Sequence, residues 1–318
     1  MPQLERFPKP ESKQEQEFFI EKELNLKNQY EAYLKSLNES AVLQLLLKKE
    51  ALGVIGLDGK EYPIPEYEKI AEVMEANREI LKLKIEQGFT KLQLTPLAAP
   101  IEILKDRFAK LLIKHHKEGR LFQTRKDPKD IGVPLELNLQ EPVYIYEGFT
   151  QGEISGHLLY YPQKFDDKKP GGHTKAELIE LLKNSPFPGW EVLLIEPNPF
   201  LPKVGEGRVL GGRHQLENNQ TPKEYLAKLN GDSYNHESGL TIEDFLTYAI
   251  ERLHAENEVS HDWNDHNVTF LIGNYLKTGP LPGGDWGRGD RGASVGVGCP
   301  DVRGAFWGVR PAVRVSKF

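Results

Sequence analysis

Apolar residues recur at helical spacing up to about residue 134 and at every second position in much of the remaining chain. Between Glu11 and Leu37 the pattern Phe18, Phe19, Leu24, Leu26, Tyr30, Tyr33, Leu34, Leu37 predicts a helix among Lys and Glu. Ser40–Leu52, with Leu43, Leu45, Leu46 and Leu47, reads as a second helical piece, ended by the Asp58-Gly59 turn. Pro65 leads a third helix to Gln87, and Pro100 a fourth to Lys117. These apolar positions are too irregular for coiled-coil heptads, so a helical hairpin or small bundle is expected. Thr124–Val133, charged and broken by Pro128 and Gly132, reads as a linker.

Beyond this linker Leu135, Leu137 and Leu139 alternate with polar residues, and Val143–Tyr146, His157–Tyr161, Trp190–Ile195 and Val268–Leu276 read as strands. Three helices mark their own starts: Thr174-x-x-Glu177, Thr221-Pro222-x-Glu224 and Thr241-x-x-Asp244 are capping boxes or close variants. The fold class expected is α+β, with a helical region over 1–134 and a second domain over 135–318.

The stretch 282–318 joins two kinds of sequence. From Ala293 to Gly298 parity separates Ala293, Val295 and Val297 from Ser294, Gly296 and Gly298, so the first set is expected to face a core and the second to face outward. In the same way Val309, Pro311, Val313 and Val315 are set against Arg310, Ala312 and Arg314. Pro311 cannot donate to a ladder, so its strand lies at an edge, bulges there, or pairs on one side only. Cys299–Trp307 has no parity and mixes Asp301, Arg303, Phe306 and Trp307, the ingredients of a binding hot spot.

Composition narrows the function. The 318 residues carry a net charge of −6, which argues against general nucleic-acid binding. No apolar run of ~18 residues and no apolar segment near Met1 suggests a membrane span or secretory signal, so the default location is cytoplasmic. A virion or surface-displayed protein would have the same composition. The single cysteine, Cys299, excludes an intramolecular disulfide and a cysteine-rich zinc site. No P-loop, dinucleotide fingerprint or nucleophile elbow is present.

Gly283-Gly284-Asp285-Trp286, Arg288-Gly289, Gly292-Ala293-Ser294-Val295 and Gly308-Val309-Arg310-Pro311-Ala312-Val313 resemble the fixed frame of variable proteins diversified by retroelements. The likeness runs back through Trp190–Pro197, Gly211-Gly212-Arg213, Thr221–Leu229 and Gly239–Tyr275, covering roughly 135–318. The resemblance implies a C-type lectin fold of the branch shared with formylglycine-generating enzymes. It also implies a surface for a protein or other macromolecular ligand, rewritten by error-prone copying at template adenines. The positions then expected to vary and face ligand are Asp290, Arg291, Ser294, Gly296, Gly298, Cys299, Asp301, Val302, Gly304, Ala305, Phe306 and Trp307. Trp286, Val295, Val297, Val309, Arg310 and Pro311 are expected to be frame.

Three alternatives compete. A formylglycine-generating type of chemistry needs a pair of cysteines, and only Cys299 is here. A metal-dependent oxidase would draw on His254, His261, Asp262, Asp265 and His266, whose spacing matches no metal signature. Glu196-Pro197-Asn198 comes after a strand far upstream of the display stretch, so it reads as structural and not as a calcium–sugar site. An assembly role would dock residues 1–134 on a partner. A binding protein without cofactor or metal, and not an enzyme, is the expectation that best fits the residues.

Overall fold

The computed structural model describes residues 20–46, 48–166 and 168–315. Helix α1 (Leu26–Glu39) leads into a three-stranded meander of β1 (Gln44–Leu46), β2 (Ala51–Ile55) and β3 (Glu61–Pro63). Helices α2 (Tyr67–Ala76) and α3 (Arg78–Glu86), strand β4 (Lys91–Thr95) and helix α4 (Ile101–Lys117) come after it. Next are β5 (Val143–Ile145), α5 (Glu147–Ser155), β6 (Leu158–Tyr160), α6 (Lys175–Leu182), β7 (Glu191–Ile195), β8 (Val209–Leu210), β9 (Arg213–His214) and α7 (Pro222–Leu229). The rest is β10 (Glu237–Gly239), α8 (Ile242–Glu256), β11 (Val268–Phe270), β12 (Asn274–Leu276), β13 (Leu281–Gly287), β14 (Gly292–Gly298), β15 (Trp307–Gly308) and β16 (Pro311–Arg314). The class is α+β.

Two sheets organise these elements. One has the order β10-β16-β7-β4, and the other β15-β11-β13-β14-β5. Helix α8 is buried almost all round, with α1 and α4 packed against it. Thr241, Thr221 and Thr174 all close the capping boxes that their spacing predicts. Each hydroxyl accepts from the third amide of its helix, while the acid there accepts from the threonine amide, satisfying two otherwise orphaned donors.

Several expectations are corrected. Ser40–Leu52 is not helical: it forms β1 and the start of β2, paired from Gln44↔Gly53 to Leu46↔Ala51. A short leucine run fits either period, and the pairing decided. The first part of the helix expected from Glu11 lies outside the described residues. Leu135–Leu139 joins no strand, with Leu137 buried and Leu139 exposed. Val268–Leu276 is two short strands, β11 and β12, on different partners.

The division at 134 is a change of pattern and not a break in the core. Strand β4 lies beside β7 from Lys91↔Ile195 to Thr95↔Glu191, and one apolar cluster runs from Leu37 and Leu92 to Trp286 and Val313. The segment expected to be a linker is tied down, since Thr124 Oγ1 donates to Val259 O and Arg125 Nε to Glu258 Oε1 at 2.5 Å.

Strand β16 is interior on both faces, so the expectation that Arg310, Ala312 and Arg314 face away from the core is also corrected. Pro311 faces only Gly239 of β10, and pairing with β7 begins one residue later, at Ala312↔Ile195. The missing N–H thus falls where the ladder has one partner. Both buried arginines are held by several acceptors. Arg310 donates to the carbonyls of Glu196, Asn198 and Pro199 at 2.8–3.2 Å. Arg314 reaches Glu191, Asp244 at 2.6 Å, Ser238 at 2.7 Å and the Gly239 carbonyl at 3.1 Å.

Candidate functional site

The five-stranded sheet has one face against α8 and one face outward. Gly284 shows which is which: a Cβ there would strike the Phe245 ring of α8, at 2.7 Å. Trp286, two residues on, is buried on the same side, and Ala293 and Val295 of β14 join it. Gly283, Asp285 and Gly287 therefore face outward, opposite Gly296, Ser294 and Gly292 across the antiparallel ladder. Residue Tyr144 of β5, paired with Ser294, extends this outer face to one edge and is 44% exposed.

Trp307 closes the other edge. Its ring lies 4.7 Å from the Phe270 ring and sits over Gly283, where a Cβ would come within 2.2 Å of it. Trp263, 42% exposed, meets Trp307 edge-on at 5.9 Å. The Phe306 ring stacks on His266 at 3.7 Å and 12°. The loop from Cys299 to Phe306 is thus anchored to the turn at 263–266 through Phe306 and through Trp307 just after it. Lys223 and Glu224 of α7 hold its other flank, through Asp301 at 2.8 Å and Arg303 at 2.6 Å.

None of the twelve residues expected to face ligand is buried. Asp290, Arg291, Cys299, Asp301, Val302 and Ala305 are exposed, and Ser294, Gly296, Gly298, Gly304, Phe306 and Trp307 are half-buried. They flank two concavities. One, of about 580 Å³, is lined by Tyr144, Asp290, Arg291, Ser294 and Gly296 with Asn138 and Glu141. The other, of about 800 Å³, is lined by Val297, Gly298, Cys299 and Asp301 with Lys164, Phe165 and Tyr275.

Of the expected frame, Trp286, Val295, Val309, Arg310 and Pro311 are buried. Val297 is the correction: it is 53% exposed and lines the larger concavity. Its parity matches Val295, but the strand runs past the end of the core there.

The residues weighed as metal ligands do not converge, and among the described residues no group of three His, Cys, Asp or Glu is placed to hold a metal. His254 pairs with Glu39 at 2.7 Å, and Asp262 with Arg288 at 2.9 Å. His261 is wholly buried between the Phe245 and Tyr248 rings, and that burial, with Arg310 and Arg252 nearby, holds its pKa well below the usual histidine range. Glu196 is structural, bonded to Arg213 at 2.9 Å and Gln215 at 2.6 Å. Cys299 is an exposed free thiol.

Asp285 is the residue that sequence reasoning passed over, as the open position in Gly-Gly-x-Trp. It is the acidic side chain that β13 sets on the outer face, among Gly283, Gly287 and Gly296, and Ser294 Oγ donates to it. Burial, opposed by that bond, pushes its pKa up to about 6, with Asp290 and Asp262 adding to the rise.

Two outer-face glycines make a local test. A Cβ on Gly296 meets nothing within 4 Å, whereas on Gly283 it enters the Trp307 ring. Gly296→Ala is expected to change stability by less than about 0.5 kcal/mol. Gly283→Ala is expected to lose about 1–3 kcal/mol and shift the tryptophan emission as Trp307 is displaced. Melts followed by fluorescence check both.

Compared with protein families, with curated proteins and with solved structures, the chain matches none. Among the described residues no helix is long and apolar enough to cross a membrane.

Proposed function

We propose that this protein binds a macromolecular ligand through the outer face of the five-stranded sheet and the loop 299–306. In this reading the surface is one sample of many that a diversity-generating retroelement writes onto a C-type lectin-like scaffold over 135–318. The observation that carries it is the separation of roles within one short stretch. None of the twelve positions expected to vary is buried, although Trp307 packs at the margin of the core, while Trp286, Val295, Val309 and Arg310 between and beside them are buried. Variation is tolerated where a side chain leaves the packed interior, and is destabilising within it. Fixed supports surround the surface: β13 beneath it, Trp263 and His266 at one side, and α7 at another.

The test is in the DNA. The gene's 3′ end is expected to have a near-copy close by, differing at adenines, with a reverse transcriptase gene beside it. Across independent isolates, substitutions are expected to concentrate in the twelve codons and to spare Trp286, Val295, Val309, Arg310 and Pro311. Substitutions spread evenly over 282–315, with no near-copy, overturn the reading.

A further inference from the structure

We propose that Asp285 is a constant anchor of the display surface, taking a lysine or arginine side chain presented by a protein partner. The inference rests on the display reading and deepens it by naming the chemistry of one contact.

The geometry begins with the floor. On the outer face Asp285 is bordered along its own strand by Gly283 and Gly287 and across the ladder by Ser294, with Gly296 diagonal to it. Glycine within a strand forfeits packing and often marks a close approach by a ligand or another chain. Gly296 has open space above it. The walls are aromatic. Tyr144 stands two strands away, ~10 Å at ordinary strand spacing. On the other side the Trp307 ring folds in over Gly283.

The polar groups define what fits. Ser294 Oγ donates to one Asp285 oxygen, and among the described residues no donor meets the other. The charges that act on Asp285 are Asp290, whose carboxylate lies over Gly287, and Asp262; Glu141 and Arg291 line the neighbouring concavity with Ser294. Arg288 is committed to Asp262 at 2.9 Å and lies 3.9 Å from Asp265. The site therefore offers an acceptor in an acidic setting, which a guanidinium or ammonium complements.

The unliganded carboxylate also opposes folding. Its folded pKa lies above the ordinary aspartate value, so its ionisation lowers stability as pH rises from about 4 to about 6, and the loss is complete above that. Asp285→Asn keeps the acceptor for Ser294 and removes the charge. It is expected to melt higher than the parent at pH 7.5 and equally near pH 4. A carboxylate placed only for structure would give the opposite sign.

The experiment selects phage-displayed random dodecapeptides on the immobilised full chain at pH 7.5. Selected peptides are expected to share one Lys or Arg. Changing that residue to Gln, or the protein to Asp285→Asn, should each weaken binding about tenfold, and not additively. Peptides without a common basic residue, or unchanged affinity for Asp285→Asn, overturn the anchor. If such peptides still lose binding on Gly296→Trp or Phe306→Ala, the display reading stands and the anchor alone falls. Selected peptides indifferent to all three substitutions, or a selection that yields none, count against both.

Discussion

Arg314→Ala is expected to destabilise the protein by about 3–5 kcal/mol at neutral pH, the range for removing one partner of a buried ion pair. The guanidinium is enclosed on every side. Glu191 and Asp244 take its two outer nitrogens, Ser238 and the Gly239 carbonyl accept from the remaining N–H groups, and the Tyr161 ring lies 4.4 Å away. Burial works against the charge, but Asp244 and Glu191 outweigh it and hold the arginine pKa above its ordinary value. Alanine would leave two carboxylates without a cation in the interior. Asp244 is also the third residue of α8, where its other role is to accept from the Thr241 amide at 2.9 Å. One substitution therefore disturbs the link between β16 and β7 and the start of the central helix. Urea unfolding of the parent and the variant measures the effect. A loss below about 1 kcal/mol would mean that water or neighbouring donors replace the arginine.

Lys175→Met is expected to have an effect of similar size, about 3–5 kcal/mol, with a distinctive pH dependence. Lys175 Nζ joins Glu153, Glu243 at 2.9 Å and the Ala99 carbonyl at 2.5 Å, all buried. Burial already pushes the Glu153 pKa up, opposed chiefly by this lysine. Without the cation, Glu153 must be buried charged or take up a proton on folding. A carboxyl whose folded pKa is raised favours folding at low pH, and that contribution is lost as pH rises through the folded value. The gap between parent and variant should accordingly narrow from pH 8 to pH 5. A gap that stays constant, in denaturant titrations at both pH values, would contradict the assignment.

These two clusters also mark where sequence reading stops. The partners of Arg314 stand 123 and 70 residues earlier in the chain, and the partners of Lys175 lie 22 residues before it and 68 after. Nothing local in the sequence joins them, so Arg314 reads as a solvent-facing alternate position. What was legible was local. The threonine-to-acid spacing of three residues located three helix starts, because the hydrogen bonds that define them close within one turn. The alternation of Ala293 and Val295 with Ser294 and Gly296 found the two sides of β14. It failed at Val297, since parity fixes a side but not where the covering layer ends. The leucines at 43–47 misled for a related reason, because β2 and not any short-range pattern decides that Gln44–Leu46 is a strand. Asp285 was hidden by its neighbours: between two glycines and a tryptophan it reads as the unspecified position of a frame motif, and only the ladder to Ser294 sets it on the open face.

The position of β16 has a bearing on how variants are screened. It comes after the display stretch in sequence yet lies in the middle of its sheet, between β10 and β7. A ribosome must pass all twelve positions proposed to vary before it makes the strand that joins those two. Any copying error that shifts the reading frame or stops translation within the stretch therefore deletes an inner strand, together with Arg310 and Arg314. Such a chain cannot close its core and would be left to chaperones and proteases. Under the proposed diversification only in-frame variants reach the folded state, so the fold itself would work as a checkpoint on each new version of the surface.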